Sequence, residues 1–322
     1  MNAIAIDENG GVEVLNYTSV PKPTASSDQV LVKTTYSTVN FIDCYFRSGL
    51  YKVDQFPYIL GSDGSGVIEQ VGDGVKDLKV GDSVAFFGRG SYAEYVPVSE
   101  KSAVKIPEGI SMETAAACMV NGLTGYYLTH ETYKVQKGDY VLVHAAAGGT
   151  GQYIVQLAKH LGGVVIGTVG SDEKIQIAKE MGCDHVINYK TQDVVQQVQE
   201  ITNGQKCRVS YDGIGKTTFE TSLNSLGPRG WFVSFGNASG AAPLLNPLDL
   251  TSRGSLIFTR PSLAHHVPDR ATFVDMSNKL FSLVKQGVVK VNIHKTFDLK
   301  DTKEAHLEIQ GAKTLGKILL KV

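Results

Sequence analysis

Cysteine, net charge and long apolar runs are all scarce in this sequence, and each scarcity excludes something. The chain of 322 residues has 4 cysteines. Cys44, Cys118, Cys183 and Cys207 stand far apart, with no CxxC pair and no Cys/His spacing of a zinc ribbon. Lysine and arginine total 31 against 32 acids, a net charge of -1. That balance leaves no large electrostatic footprint for DNA or an anionic membrane. No apolar stretch nears the ~18 residues that a membrane span needs. The opening MNAIAIDENGG carries acids where a secretion signal needs bases. The sequons at Asn16 and Asn237 therefore mean little. The sequence reads as a soluble protein of a reducing compartment, the cytoplasm.

What is present fits a globular chain. Hydrophobic residues make up 42% and charged residues 20%, which supports a normal core and excludes dominant disorder. At roughly 100–200 residues per domain the length suggests two domains, with three as the alternative. Glycine is plentiful, 34 of 322, without the period of collagen; it points to tight turns and to backbone that must come close to something.

Residues 1–107 read as short strands (MNAIAID, VLVKTTYSTVN, GSGVIEQVG, DSVAFF, SYAEYVPVS) between glycine-rich turns, the pattern of a small antiparallel β-barrel. At Ser111 the composition turns to helix formers. From residue 140, apolar strands (YVLVHAA, GVVIGTV, HVINY, RVSYDGIG, WFVSFGN, SLIFTRPS) alternate with amphipathic helices. Six such strands predict a doubly wound parallel sheet, an α/β Rossmann architecture. The tail gives a helix over Thr272–Val284 and two short strands, for which the first domain is a candidate partner. The division expected is 1–120 plus 265–322 for the first domain and 121–264 for the second.

The sharpest local signal is Val143-His-Ala-Ala-Ala-Gly-Gly-Thr-Gly-Gln152, which follows a strand and opens a helix. It reads AxxGxxG, with Ala145 in the first place. Ala147, Gly148, Gly149, Thr150 and Gly151 would bring a pyrophosphate against the helix N-terminus; a plain strand–helix turn is the alternative. NAD sites place an acid about 20 residues further on, for the ribose 2′-hydroxyl. Here Gly170 takes that place. Ser171 and Lys174 suit a 2′-phosphate, and Tyr189 adds a hydroxyl. The reading favours NADPH, against an alternative in which Lys174 is a solvated helix residue and Asp172 an N-cap. Two decoys are set aside: the YxxxK at Tyr133–Lys137 precedes the loop, and the Walker-like Gly213–Thr217 lacks its first glycine. Phe235, Gly236 and Ser239 follow the fifth strand, at the end where open sheets bind ligands, and Gly236 would allow close approach to a nicotinamide.

With a β-rich part before a Rossmann part, the chain resembles the medium-chain dehydrogenase/reductase superfamily, and within it the quinone oxidoreductase family that includes zeta-crystallin. The segments that carry the resemblance are 39–51 (VNFIDCYFRSGLY), 60–66 (LGSDGSG), 121–124 (NGLT), 144–151 (HAAAGGTG), 233–240 (VSFGNASG) and 259–263 (TRPSL). Thr150 departs from the family's usual Val. The resemblance implies a GroES-like first domain and a substrate cleft between the domains. In its register the zinc ligands of related alcohol dehydrogenases fall on Asn40 and on Gly61-Ser62-Asp63, so no metal is expected. Cys44 and Cys118 then read as packing residues, and His265-His266 as a solvated loop.

The resemblance further implies a quinone reductase that works without zinc, since a quinone accepts a hydride readily and needs mainly orientation and a dry site. Its catalytic candidates are Asn40, Tyr45 and Tyr51. Asn40 would anchor a quinone or ribose oxygen, and a tyrosine would stack on the ring or donate a proton. Core packing, and a strand-end role for Asn40, are the alternatives. Thr124 matches a cofactor-contacting threonine. Arg260 and Lys317 are further cofactor candidates, each with a structural or solvated alternative. An NADPH-dependent alkenal or enone reductase is the competing enzyme reading, and an AU-rich RNA-binding protein or a crystallin-like structural protein the competing classes. A homodimer joined at the edge strand 255–262 is also expected.

Overall fold

The computed structural model describes residues 1–322. The chain divides into two compact units: Met1–Leu123 with Val267–Gly287 and Val291–Val322, and Thr124–His266 with Val288–Lys290. No helix is long and apolar enough to cross a membrane.

The first unit is built around the strand Gln29–Val39. Rich in β-branched residues, it is buried at Val30–Val32, Thr34 and Ser37–Val39, so both of its faces are covered and only Lys33 is exposed. It pairs antiparallel with Asp63–Val71, Tyr95–Ser99 and Lys317–Lys321. The last pairing places Leu319 opposite Thr38, which returns the tail to this unit; Ile293–Asp298 then adds in parallel beyond it. A three-stranded sheet, Asn16–Ser19, Asn2–Ile6 and Tyr58–Ile59, completes the unit. One core joins Ile4, Ile6, Leu60, Tyr92, Ile318 and Leu320, and a second joins Val30, Val32, Ile68, Val84 and Phe86. Ser111 caps the helix that starts at Met112, accepting from the Thr114 amide at 3.2 Å. This helical run loosens into π-helix at Cys118–Gly122.

The second unit holds a parallel six-stranded sheet in the order His185–Asn188, Val164–Val169, Tyr140–Val143, Cys207–Asp212, Leu226–Ser234, Ile257–Thr259. The chain order reverses between Tyr140–Val143 and Cys207–Asp212, so their carboxyl ends flank the switch point where such sheets take ligands. Leu142, Ile166, Ile187, Phe219 and Phe232 fill the core under one face.

Two expectations change here. Lys317 is buried at 2% exposure, not solvated, because its strand lies inside the first unit's sheet. His265 and His266 end a short helix, Leu263–His266. His266 stacks on Tyr127 with ring centroids 4.2 Å apart and meets Glu131 at 2.8 Å, so it has defined partners rather than a solvated loop.

Candidate active site

In the second unit the strand Tyr140–Val143 ends at His144. Ala145 takes a left-handed φ of 51°, and Gly148 caps the helix Gly149–His160 without a side chain. A Cβ on Gly151 would stand 2.2 Å from the Ala145 carbonyl oxygen. The loop therefore folds on its own backbone there and tolerates only glycine. The first helical turn carries no acid, and with the Gly148–Gly151 backbone it forms an N-terminus suited to an anion. Gln152 braces it from within, its side-chain amide donating to the Ala147 carbonyl at 2.8 Å.

The end of the next strand carries glycine in place of an acid. A Cβ on Gly170 would lie 2.3 Å from the Tyr189 hydroxyl oxygen. The hydroxyl stands at the far end of a side chain that is about half exposed. Ser171 is the N-cap of the helix Asp172–Glu180. Asp172 is instead held by the Asn188 side-chain amide at 2.8 Å. Lys174 is half-buried; desolvation holds it below the ordinary lysine value while Glu173 opposes that shift.

The loop after the fifth strand is held by protein contacts. A Cβ on Gly236 would fall 2.2 Å from the Gly213 carbonyl oxygen, and one on Gly213 would meet the Phe235 ring at 2.8 Å. Glycine at 236 is thus required by the neighbouring turn. Arg260 donates to the Gly236 carbonyl at 3.0 Å and to Ser234 Oγ at 3.2 Å, and Ser239 Oγ donates to the Ile214 carbonyl at 2.9 Å. Thr124 hydrogen-bonds Tyr127, whose phenol burial pushes up.

In the first unit Asn40 ends the strand Gln29–Val39 and caps the helix Phe41–Ser48; its backbone N–H donates to Asp43 Oδ2 at 2.8 Å. Both ends of its amide are engaged. Nδ2 donates to Asp63 Oδ1 at 3.0 Å and to Thr38 Oγ1 at 3.1 Å. Oδ1 accepts from Lys317 Nζ, which also donates to Asn121 Oδ1 at 3.0 Å and to the Val39 carbonyl at 3.3 Å. Asp63 Oδ2 accepts from the Val120 amide at 2.8 Å, an N–H within the π-helical stretch. Asp43 accepts from Ser62 Oγ at 2.6 Å and from the Tyr92 hydroxyl at 3.0 Å. Burial raises Asp43 to about 7 and raises Asp63, and it lowers Lys317; attraction between the lysine and the two acids works against all three shifts.

Tyr45, on the same helix, and Tyr51 pack edge to face with centroids 5.2 Å apart, and Tyr51 also meets Phe46 at 5.7 Å. Tyr45 is buried and Tyr51 partly exposed. The structure thus joins Asn40 to Lys317 and Tyr45 to Tyr51. In the second unit it gathers Gly148–Gly151, Gly170–Lys174 and Phe235–Ser239 at the carboxyl edge of one sheet. Sequence reasoning missed Asp63, Asp43 and Thr38 as partners of Asn40, and Asn121 as a partner of Lys317; only the GSDGSG segment hinted at the first. Asn40 and Asp63 bond to each other. No group of three or more His, Cys, Asp or Glu side chains is placed to hold a metal ion.

Comparison with known proteins gives the same architecture. Residues 26–108 match the alcohol dehydrogenase GroES-like domain, and residues 149–278 match the family described as zinc-binding dehydrogenase. The chain is 42% identical to a quinone oxidoreductase of Pseudomonas aeruginosa, over 97% of this chain and 96% of the relative. It is 40% identical to a 2-haloacrylate reductase of a Burkholderia species, over 99% of this chain and 98% of the relative. The crystal structure of Escherichia coli quinone oxidoreductase complexed with NADPH superposes with a TM-score of 0.98 at 40% identity, covering 100% of both chains. On its two-unit fold and its full-length identity, the chain belongs to the quinone oxidoreductase family of the medium-chain dehydrogenase/reductase superfamily.

Proposed function

We propose that this protein is an NADPH-dependent quinone oxidoreductase that works without a metal ion. The observation that carries the reading is the full-length match to quinone oxidoreductases, one of them solved with NADPH. The second unit's residues fit that cofactor. The Gly148-capped helix N-terminus suits the pyrophosphate. The acid-free strand end at Gly170, with Ser171, Lys174 and the Tyr189 hydroxyl, suits the 2′-phosphate. Phe235, Gly236 and Ser239 stand on the nicotinamide side, braced by Arg260, and Thr124 is a further contact. When bound, NADPH supplies a hydride.

In the first unit, Tyr45 and Tyr51 hold and orient the quinone ring, and a phenol hydroxyl gives up the proton that the reduced ring oxygen needs. Asn40 and Lys317 keep the end of the strand and the start of the tyrosine-bearing helix fixed. Oxidation of NADPH followed at 340 nm with 1,2-naphthoquinone or 9,10-phenanthrenequinone tests the reading; absence of turnover with both overturns it.

The Burkholderia relative favours a second reading, reduction of an activated C=C bond by the same scaffold. Faster turnover of 2-nonenal or 2-chloroacrylate than of any quinone selects it. A homodimer is part of the proposal. The strand Ile257–Thr259 leaves one edge unpaired, and Leu244 and Leu248 nearby in the chain are exposed. Light scattering that gives the mass of one chain overturns the dimer. A cytoplasmic location is also part of it, supported by four free, buried cysteines.

A further inference from the structure

Four buried polar side chains of the second unit form a hydrogen-bonded chain with no role yet in the cofactor reading. Thr168 lies near the end of Val164–Val169, His144 directly follows Tyr140–Val143, Asp212 ends Cys207–Asp212, and Ser222 sits on the helix Phe219–Asn224. None is more than 3% exposed. Thr168 Oγ1 is 3.1 Å from His144 Nδ1, His144 Nε2 is 3.0 Å from Ser222 Oγ, and Ser222 Oγ is 2.7 Å from Asp212 Oδ2.

The proton positions follow from the acid end. Both oxygens of Asp212 face donors only: the Ile214 amide at 2.8 Å, the Gly215 amide at 3.1 Å, and the Thr218 hydroxyl at 2.9 and 2.8 Å. Ser222 therefore donates to Asp212 and accepts from His144 Nε2–H. Burial holds His144 below the ordinary histidine value, so the ring is neutral and Nδ1 accepts from the Thr168 hydroxyl. This is no hydrolytic triad, in which histidine stands between the acid and a reachable serine. Here a buried serine stands in the middle.

Each end of the chain reaches a loop of the site. His144 opens the phosphate loop, and Thr168 lies two residues before Gly170. Asp212 shapes the turn 213–218, which in turn carries the 235–240 loop: Ala238 N donates to the Gly213 carbonyl at 3.2 Å and Ser239 N to the Ile214 carbonyl at 2.8 Å. We propose that Thr168, His144, Ser222 and Asp212 act as one positioning element that locks the phosphate loop, the Gly170 strand end and the 213–218 turn into a single cofactor-binding arrangement. The proposal rests on the reading of this unit as an NADPH site.

The test compares two serines of one helical turn. Ser222 and Ser225 are both fully buried, but the Ser225 hydroxyl has no partner. NADPH affinity is measured by fluorescence titration on the full-length Ser222→Ala and Ser225→Ala proteins. Ser222→Ala is expected to bind NADPH about tenfold more weakly, through the broken chain, and Ser225→Ala to bind as the wild type does. Equal affinities for the two variants overturn the proposal. A wild-type chain that fails to bind NADPH overturns the nucleotide reading instead. Should Ser222→Ala fail to fold, Thr168→Val breaks the opposite end and is read in the same way. Nitrogen-15 spectra of labelled histidine add a second readout. The wild-type His144 is expected to carry its proton on Nε2 alone; a proton on Nδ1 contradicts the direction of the chain.

Discussion

Lys317 Nζ donates to Asn40 Oδ1 inside the first unit, and the same lysine is the counter-charge of Asp63, which accepts the Asn40 amide. One cation thus serves a side chain and two buried carboxylates at once. Its removal leaves Asp63 and Asp43 without compensation. Lys317→Met is expected to cost about 3–5 kcal/mol of stability, as leaving buried carboxylates without their compensating charge does. Urea unfolding measures it; a loss below about 0.5 kcal/mol, the scale of a surface lysine, contradicts the network.

Asp43 titrates at about 7 in the folded chain against an ordinary 3.8. A raised carboxyl value means the folded state holds the proton more tightly. The stability this contributes is present below pH 3.8 and lost as pH rises through 7. Asp43→Asn removes that loss while keeping an acceptor for the Asn40 amide. The difference in Tm, variant minus wild type, is expected to grow from pH 5 to pH 8. A difference that stays flat over that range contradicts the shift.

Lys174 is the charge assigned to the 2′-phosphate. Lys174→Ala is expected to raise KM for NADPH by about 10- to 100-fold, the scale of one charge-assisted hydrogen bond, and to leave KM for NADH nearly unchanged. Equal effects on both cofactors refute the assignment.

Gly151 and Gly148 differ in the room they leave. A Cβ at 151 meets backbone at 2.2 Å, whereas one at 148 meets it at 3.1 Å. Gly151→Ala is expected to weaken NADPH binding strongly and to cost about 1–3 kcal/mol of stability. Gly148→Ala is expected to lose several-fold less affinity. The reverse order in a titration contradicts the loop geometry.

Parts of the fold with local causes were legible in the sequence. Apolar runs such as YVLV and VVIGTV announced the parallel sheet, and AAAGGTG announced the loop, because strand burial and tight turns are set within a few residues. Gly170 was legible as a missing acid, but the Tyr189 hydroxyl that lies against it became visible only in the packing. Gly236 was read as room for a nicotinamide, whereas the Gly213 carbonyl already requires it. Lys317 looked like a surface charge because its partners Asp63 and Asn40 come from the opposite end of the chain. Buried polar networks are assembled by tertiary contact, and no spacing announces them. His144 stood inside a quoted motif, yet its link to Asp212 depends on strands that meet only at the sheet's switch point.

The central claim is tested most directly by steady-state oxidation of NADPH with 9,10-phenanthrenequinone in the presence of a metal chelator. The expected result is quinone turnover with NADPH that the chelator leaves unchanged and that NADH supports far less well. No quinone turnover with either cofactor, or activity abolished by the chelator, would contradict it.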